Sequence, residues 1–148
     1  MSQPSSPTLY TAGYGRAGWD PESLLERAEE LDAIIVDIRL SPKSRIPEWR
    51  KSYLAALWGR RYWHCHDLGN VNYKGGPIVL QNPETGVRSV LEILERQSVI
   101  LLCVCADVAR CHRVTAAAAI ANASPRPLQV VHLVPERGED PDQLRIGG

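Results

Sequence analysis

Short apolar runs alternate along the chain with stretches in which apolar residues recur every three or four positions, the pattern of strands interleaved with helices. Thr8 to Ala12 reads as a first short strand. Asp20-Pro21-Glu22 is a helix start, with a capping carboxylate, a proline where no N–H is needed, and a negative charge favoured by the helix dipole. Leu24, Leu25, Ala28 and Leu31 then share one face, and the helix is expected to end near Leu31. Ala33 to Ile38 is a second, buried strand. Pro47 to Trp58 predicts a second helix, with Trp49, Tyr53, Leu54 and Leu57 on one side. Arg61 to His66 is short and aromatic, which suits a third strand near a sheet edge. Pro83-Glu84-Thr85 opens a third helix whose Val87, Val90, Leu91 and Leu94 face the core. Ser98 to Cys105 is the most apolar strand, a helix follows from about Cys111 to Asn122, and Leu128 to Val134 is a last strand before Pro135. Ala116 to Ala119 gives that fourth helix a small-residue face able to lie close against a sheet.

Five strands alternating with four helices predict a single three-layer α/β domain with a mostly parallel sheet. Residues 8–135 are assigned to this domain, residues 1–7 to a disordered tail and residues 136–148 to a polar C-terminal tail. At 148 residues such a domain buries roughly two thirds of the surface of its unfolded chain and needs no disulfide framework. Lys and Arg balance Asp and Glu at 17 each, so strong binding of duplex DNA is not expected, although local basic patches remain open. No apolar run is long enough for a membrane span, and no signal peptide is expected, which suggests a cytoplasmic protein. Four cysteines at irregular spacing then read as thiols, ligands or core residues rather than bridges.

The chemistry gathers where the strands end. Between Cys103 and Arg113 lie three of the four cysteines, a histidine and two arginines, where the chain leaves its central strand for a helix. That is the carboxyl edge of an open α/β sheet, where ligands bind. Cys111 and His112 would start the helix, whose exposed N–H groups favour a thiolate, and Arg110 and Arg113 would strengthen that effect and hold an oxyanion. Cys103 and Cys105 would share one face of the strand, and either suits a plain buried residue as well. Gly13, Tyr14, Gly15 and Arg16 follow the first strand and form either a tight turn or a ligand-lining loop. Asp37 and Arg39 point the same way at the end of the second strand, as a structural pair or as a polar pair at a site edge. Ser44 lies in the following basic loop, where Arg39, Lys43 and Arg45 offer a rim for an anion. His64 and His66 alternate onto one face with Tyr62 and are spaced to ligate a metal, with no third ligand nearby, so no metal site is assigned. The loop from Asn72 to Gly76 suits a lid or plain surface.

Two local resemblances bear on the cysteines. Cys105 to Arg110 is Cys-x4-Arg after a strand and, with Asp37-x-Arg39 earlier, resembles the loop of rhodanese-type sulfurtransferases, implying a persulfide on Cys105. Cys103, Cys105, Cys111 and His112 also have the donor chemistry of zinc ligands. A broader resemblance covers roughly residues 9 to 121. Thr11-Ala12-Gly13-Tyr14-Gly15 before a helix, Asp37-Ile38-Arg39 followed by Pro42 and Ser44, Leu68-Gly69, and Leu101-Leu102-Cys103 leading to Cys111-His112-Arg113 are similar, in that order, to the domain-of-unknown-function family 488. That resemblance implies a small cytosolic α/β protein of unestablished activity. The family usually has His-Ser where this chain has Tyr14-Gly15, and Glu where it has Cys105, whereas Cys111, His112 and Arg113 fit its pattern.

The expectation is therefore an enzyme-like site for a small anionic ligand, a nucleotide or a nucleic-acid end, on the carboxyl edge. Arg39 and Arg113 would bind the anion, with Gly13, Tyr14, Gly15, Arg16, Ser44 and Arg110 lining the site. Asp37 would orient an arginine or accept a proton, and Cys111 or Cys105, beside His112, would be the nucleophile. No cofactor is expected. The rival is a non-catalytic module that holds a nucleotide or a partner on the same edge.

Overall fold

The computed structural model describes residues 6–14, 19–42, 44–72, 76–104 and 112–135. Among them are five strands: β1 (Leu9–Gly13), β2 (Ala33–Asp37), β3 (Tyr62–His64), β4 (Ser98–Cys103) and β5 (Val130–His132). They form one sheet in the order β3-β2-β4-β1-β5, and every pairing is parallel. Four helices connect them: α1 (Pro21–Leu31), α2 (Lys51–Trp58), α3 (Pro83–Leu94) and α4 (His112–Ala123). The α/β domain foreseen from the apolar pattern is present, with a sheet that is wholly parallel.

Alternation along the strands divides the core. Val36, Val99, Leu101 and Cys103 pack with Val87, Val90 and Leu94 of α3 and Ala116, Ala117 and Ile120 of α4. Ile35, Ile100 and Leu102 pack on the other face with Leu24 and Ala28 of α1 and Leu54 and Trp58 of α2. β4 runs through the middle, apolar on both faces, as a parallel strand covered by helices must be. α1 starts on a reciprocal cap: the Ser23 amide donates to Asp20 Oδ1 at 2.7 Å, and the Asp20 amide donates to Ser23 Oγ at 3.1 Å. It ends at Asp32 in the left-handed region, at φ 51°.

Several boundaries differ from the sequence reading for identifiable reasons. The stretch 47–58 is not one helix: a 3-10 turn at Pro47–Trp49 is separated from α2 by extended Arg50, at φ −79° and ψ 149°. Trp49 is turned inward there and stacks on Tyr14, with ring centroids 4.1 Å apart. β3 is shorter than expected, because His66 belongs to a 3-10 turn at His66–Leu68, so the predicted strand alternation stops at His64. β4 ends at Cys103, opposite Gly13, the last residue of β1. Val104, the next residue, is half exposed, and Cys105 lies outside the described residues, so the strand face expected to be shared by Cys103 and Cys105 lies outside them too.

The strand order sets up the site. β2 and β4 are neighbours, yet the connection leaving β2 runs outward to β3 at one edge, while the connection leaving β4 passes over β1 to β5 at the other. In open parallel sheets the carboxyl ends of neighbouring strands whose connections diverge are where ligands bind.

Candidate functional site

The residues singled out at strand ends fall into two buried polar groups on opposite faces of the sheet. On the α1/α2 face, Asp37 is fully buried and Arg39 is 4% exposed. Arg39 Nε donates to Asp37 Oδ1 at 2.8 Å and Nη2 to Oδ2 at 2.6 Å, a bidentate pair. The Arg39 amide also donates to Oδ1 at 3.1 Å, and the Tyr62 hydroxyl to Oδ2 at 2.7 Å. Four donors thus converge on one carboxylate, filling its acceptor positions. Asp37 orients an arginine and has no lone pair left for a proton or a metal ion. Burial alone would weaken the Arg39 guanidinium's hold on its proton, but Asp37 outweighs it and the pKa rises. Burial, then the neighbouring Asp37 charge, pushes the Tyr62 phenol above its ordinary range.

The other end of Arg39 fixes the next loop. Nη1 donates to the Trp49 carbonyl at 2.6 Å and to the Tyr14 hydroxyl at 3.1 Å. Trp49 precedes Arg50, whose Nε donates to the Ser44 carbonyl at 2.9 Å, and the Lys51 amide closes the loop onto the Pro42 carbonyl at 3.2 Å. The result is a cleft of about 500 Å³ lined by Pro42, Ser44, Arg50, Lys51 and Ser52. It sits at the start of α2, where no side chain caps the first-turn amides. The cations lining it are Arg50 and Lys51, both exposed; Arg39 is committed to Asp37, Tyr14 and Trp49.

Three imidazoles hold the backbone leaving β2. His112 Nε2 donates to the Ile38 carbonyl at 2.9 Å, His64 Nε2 to Arg39 at 2.7 Å and His66 Nδ1 to Leu40 at 3.0 Å. These carbonyls follow the last residue of β2, and the side chains give them acceptor partners. Gly69 lets the 66–69 turn come in close, since a Cβ there would lie 2.5 Å from Leu40 Cα. His112 reaches from α4 to the end of β2, across the divergence of the two connections, and burial lowers its pKa. His64 and His66 are therefore carbonyl-binding groups, their rings 6.3 Å apart, and among the described residues no cluster of three His, Cys, Asp or Glu is placed to hold a metal ion.

On the α3/α4 face, Arg113 is 2% exposed and its Nε donates to Thr11 Oγ1 at 3.1 Å. Its Nη1 faces Cys103 Sγ at 3.7 Å, and Thr11 Oγ1 lies 2.7 Å from His132 Nδ1 of β5. Arg39 and Arg113, expected to hold one anion together, are thus separated by the sheet. Gly13 is buried at the end of β1, and the Tyr14 amide donates to the Cys103 carbonyl at 3.1 Å. Cys105, Cys111, Gly15, Arg16 and Arg110 lie outside the described residues, and with them the Cys105-x4-Arg110 stretch and two of the four candidate zinc ligands. Cys65 is a buried free thiol, and Cys103 is fully buried beside Arg113.

Tyr62, Trp49, Arg50, Lys51, Thr11 and His132 join these groups without having been singled out for them. The β2–β3 register, with Asp37 opposite His64, brings Tyr62 onto the Asp37 side, and that register has no signature in sequence. Comparison of the chain with family models, curated proteins and solved structures finds no match. No helix among the described residues is long and apolar enough to cross a membrane.

Proposed function

We propose that the protein binds a small anionic, nucleotide-like ligand at the carboxyl edge of the sheet, in the region where the connections of β2 and β4 diverge. The observation that carries this reading is that divergence, the position at which parallel α/β sheets open a ligand crevice. The cleft of Ser44, Arg50, Lys51 and Ser52 supports it, with two cations at a helix start that no side chain caps, on the connection leaving β2. The neutral Asp37–Arg39 pair acts as the frame beneath, and the three histidines keep the frame's backbone in place.

Calorimetric titration and thermal shift with inorganic phosphate and adenosine monophosphate test the reading. Ligand at a hundred times its Kd should stabilise the fold by about 2.7 kcal/mol. Arg50→Ala/Lys51→Ala, at exposed positions, should weaken binding about tenfold or more while leaving the melting temperature unchanged. Absence of binding by the wild type, or unchanged binding by the variant, would overturn it.

A second reading adds catalysis, with Cys111 or Cys105 as nucleophile; it rests on the cysteines, His112 and arginines that sequence puts between β4 and α4. The saturation of Asp37 favours simple binding, because it removes one candidate base. Alkylation rates against pH at each cysteine separate the two. A thiol titrating well below about 8.5 supports the enzyme, and inert thiols support the binding module. A sulfur donor that adds one sulfur to Cys105 would select the sulfurtransferase form.

A further inference from the structure

Among the described residues, the junction of Tyr14 and Arg39 carries buried donor hydrogens with no acceptor. Tyr14 is 7% exposed, and its hydroxyl accepts one bond, from Arg39 Nη1 at 3.1 Å. A phenol also has a proton to donate, and among the described residues nothing accepts it. Of the five N–H groups of Arg39, Nε, one on Nη2 and two on Nη1 are used by Asp37, Tyr14 and the Trp49 carbonyl. The second N–H on Nη2 has no acceptor among the described residues. Asp37 cannot serve, because its lone pairs are filled. Buried donors in folded proteins are met by protein, water or ligand, and exceptions mark functional positions.

We infer that Tyr14 hydrogen-bonds an oxygen of the bound anion, so that the Tyr14–Arg39 junction, tied through the Trp49 carbonyl to the residue before cleft-lining Arg50, is a second, uncharged anchor. This rests on the anion-binding reading above. Both remaining groups are donors, so the ligand atom they meet is an acceptor, a phosphate or carboxylate oxygen; a metal cation or an ammonium has no place there. The Arg39 charge is cancelled by Asp37, so the junction attracts through oriented O–H and N–H dipoles rather than net charge. Guanidinium donation to the Tyr14 oxygen polarises its O–H and makes it a better donor. The two anchors consequently differ in salt dependence: charge on Arg50 and Lys51 is screened, and a buried hydrogen bond is not.

Tyr14→Phe keeps the ring and its stack on Trp49 while deleting the hydroxyl. Binding of inorganic phosphate and adenosine monophosphate is measured at low and at high sodium chloride, together with the melting temperature. The variant should bind both probes about ten- to a hundredfold more weakly, by the same factor at both salt concentrations, with its fold retained. If Tyr14→Phe binds as the wild type does while Arg50→Ala/Lys51→Ala is weakened, the inference is wrong and the anion site stands. If the wild type binds neither probe, the anion-binding reading itself fails. Should the variant not fold, the near-ultraviolet difference spectrum of wild-type protein decides: saturating phosphate should shift a buried tyrosine band, and an unchanged spectrum overturns the inference.

Discussion

Replacing Asp37 with Asn takes one negative charge from a carboxylate that is fully buried and leaves the Arg39 guanidinium, 4% exposed, without a counter-ion. The geometry makes the loss severe, because whichever way the amide is turned its N–H2 faces two donors. On one side these are the Arg39 amide and Nε, and on the other Arg39 Nη2 and the Tyr62 hydroxyl. Breaking a buried ion pair by removing one partner costs about 3–5 kcal/mol. For a chain of 148 residues that is a fall in melting temperature of about 6–20 °C. Urea unfolding followed by tryptophan fluorescence reads it directly, since Trp49 and Trp58 pack on the same side. The double variant Asp37→Leu/Arg39→Met, which removes both charges, should be less destabilised than Asp37→Asn. A single-variant loss below about 1 kcal/mol, or a double-variant loss equal to the sum of its singles, would refute a tightly coupled buried pair.

Other outcomes follow from the same structure. His112 is held neutral by burial, so below about pH 6.5 the unfolded chain takes up a proton that the folded one does not; stability is lost as pH falls through that window. The stability of the wild type relative to His112→Gln should decline between about pH 7 and pH 5, and a constant difference would contradict it. Burial pushes the Cys65 thiol up, and Cys103 is fully inside, so neither should react with iodoacetamide in native protein at a pH where the unfolded chain is labelled. Rapid native labelling of either would show that the core opens. Asp20→Ala removes the cap of α1 and should cost about 1 kcal/mol by urea unfolding, with Asp20→Asn recovering most of it; equal stabilities of Asp20→Ala and wild type would discount the cap.

Most of the fold was legible because it is local. The cap at Asp20, the periodic Leu24, Leu25, Ala28 and Leu31, and the unbroken apolar run from Val99 to Leu102 each state their conformation within a few residues. The expectation of a site at strand ends likewise follows from alternation of strand and helix. The break at Arg50 was hidden because it depends on Trp49 finding Tyr14 and Arg39, partners far away in the chain. The end of β4 was hidden likewise, since it comes where the ladder with β1 stops, at Gly13 and Cys103.

By itself, then, the sequence determined the alternation of five strands with four helices and a mostly parallel sheet. Only the tertiary structure decided which charges meet. Asp37 and Arg39 are two residues apart, and their pairing on one strand face could be anticipated. That Tyr62 completes the carboxylate's shell, that His64, His66 and His112 hold three successive carbonyls, and that Arg113 lies across the sheet from Arg39 depend on strand order and register. Those are set by packing over the whole core, where residues distant in sequence share one layer, and a local pattern carries no record of them.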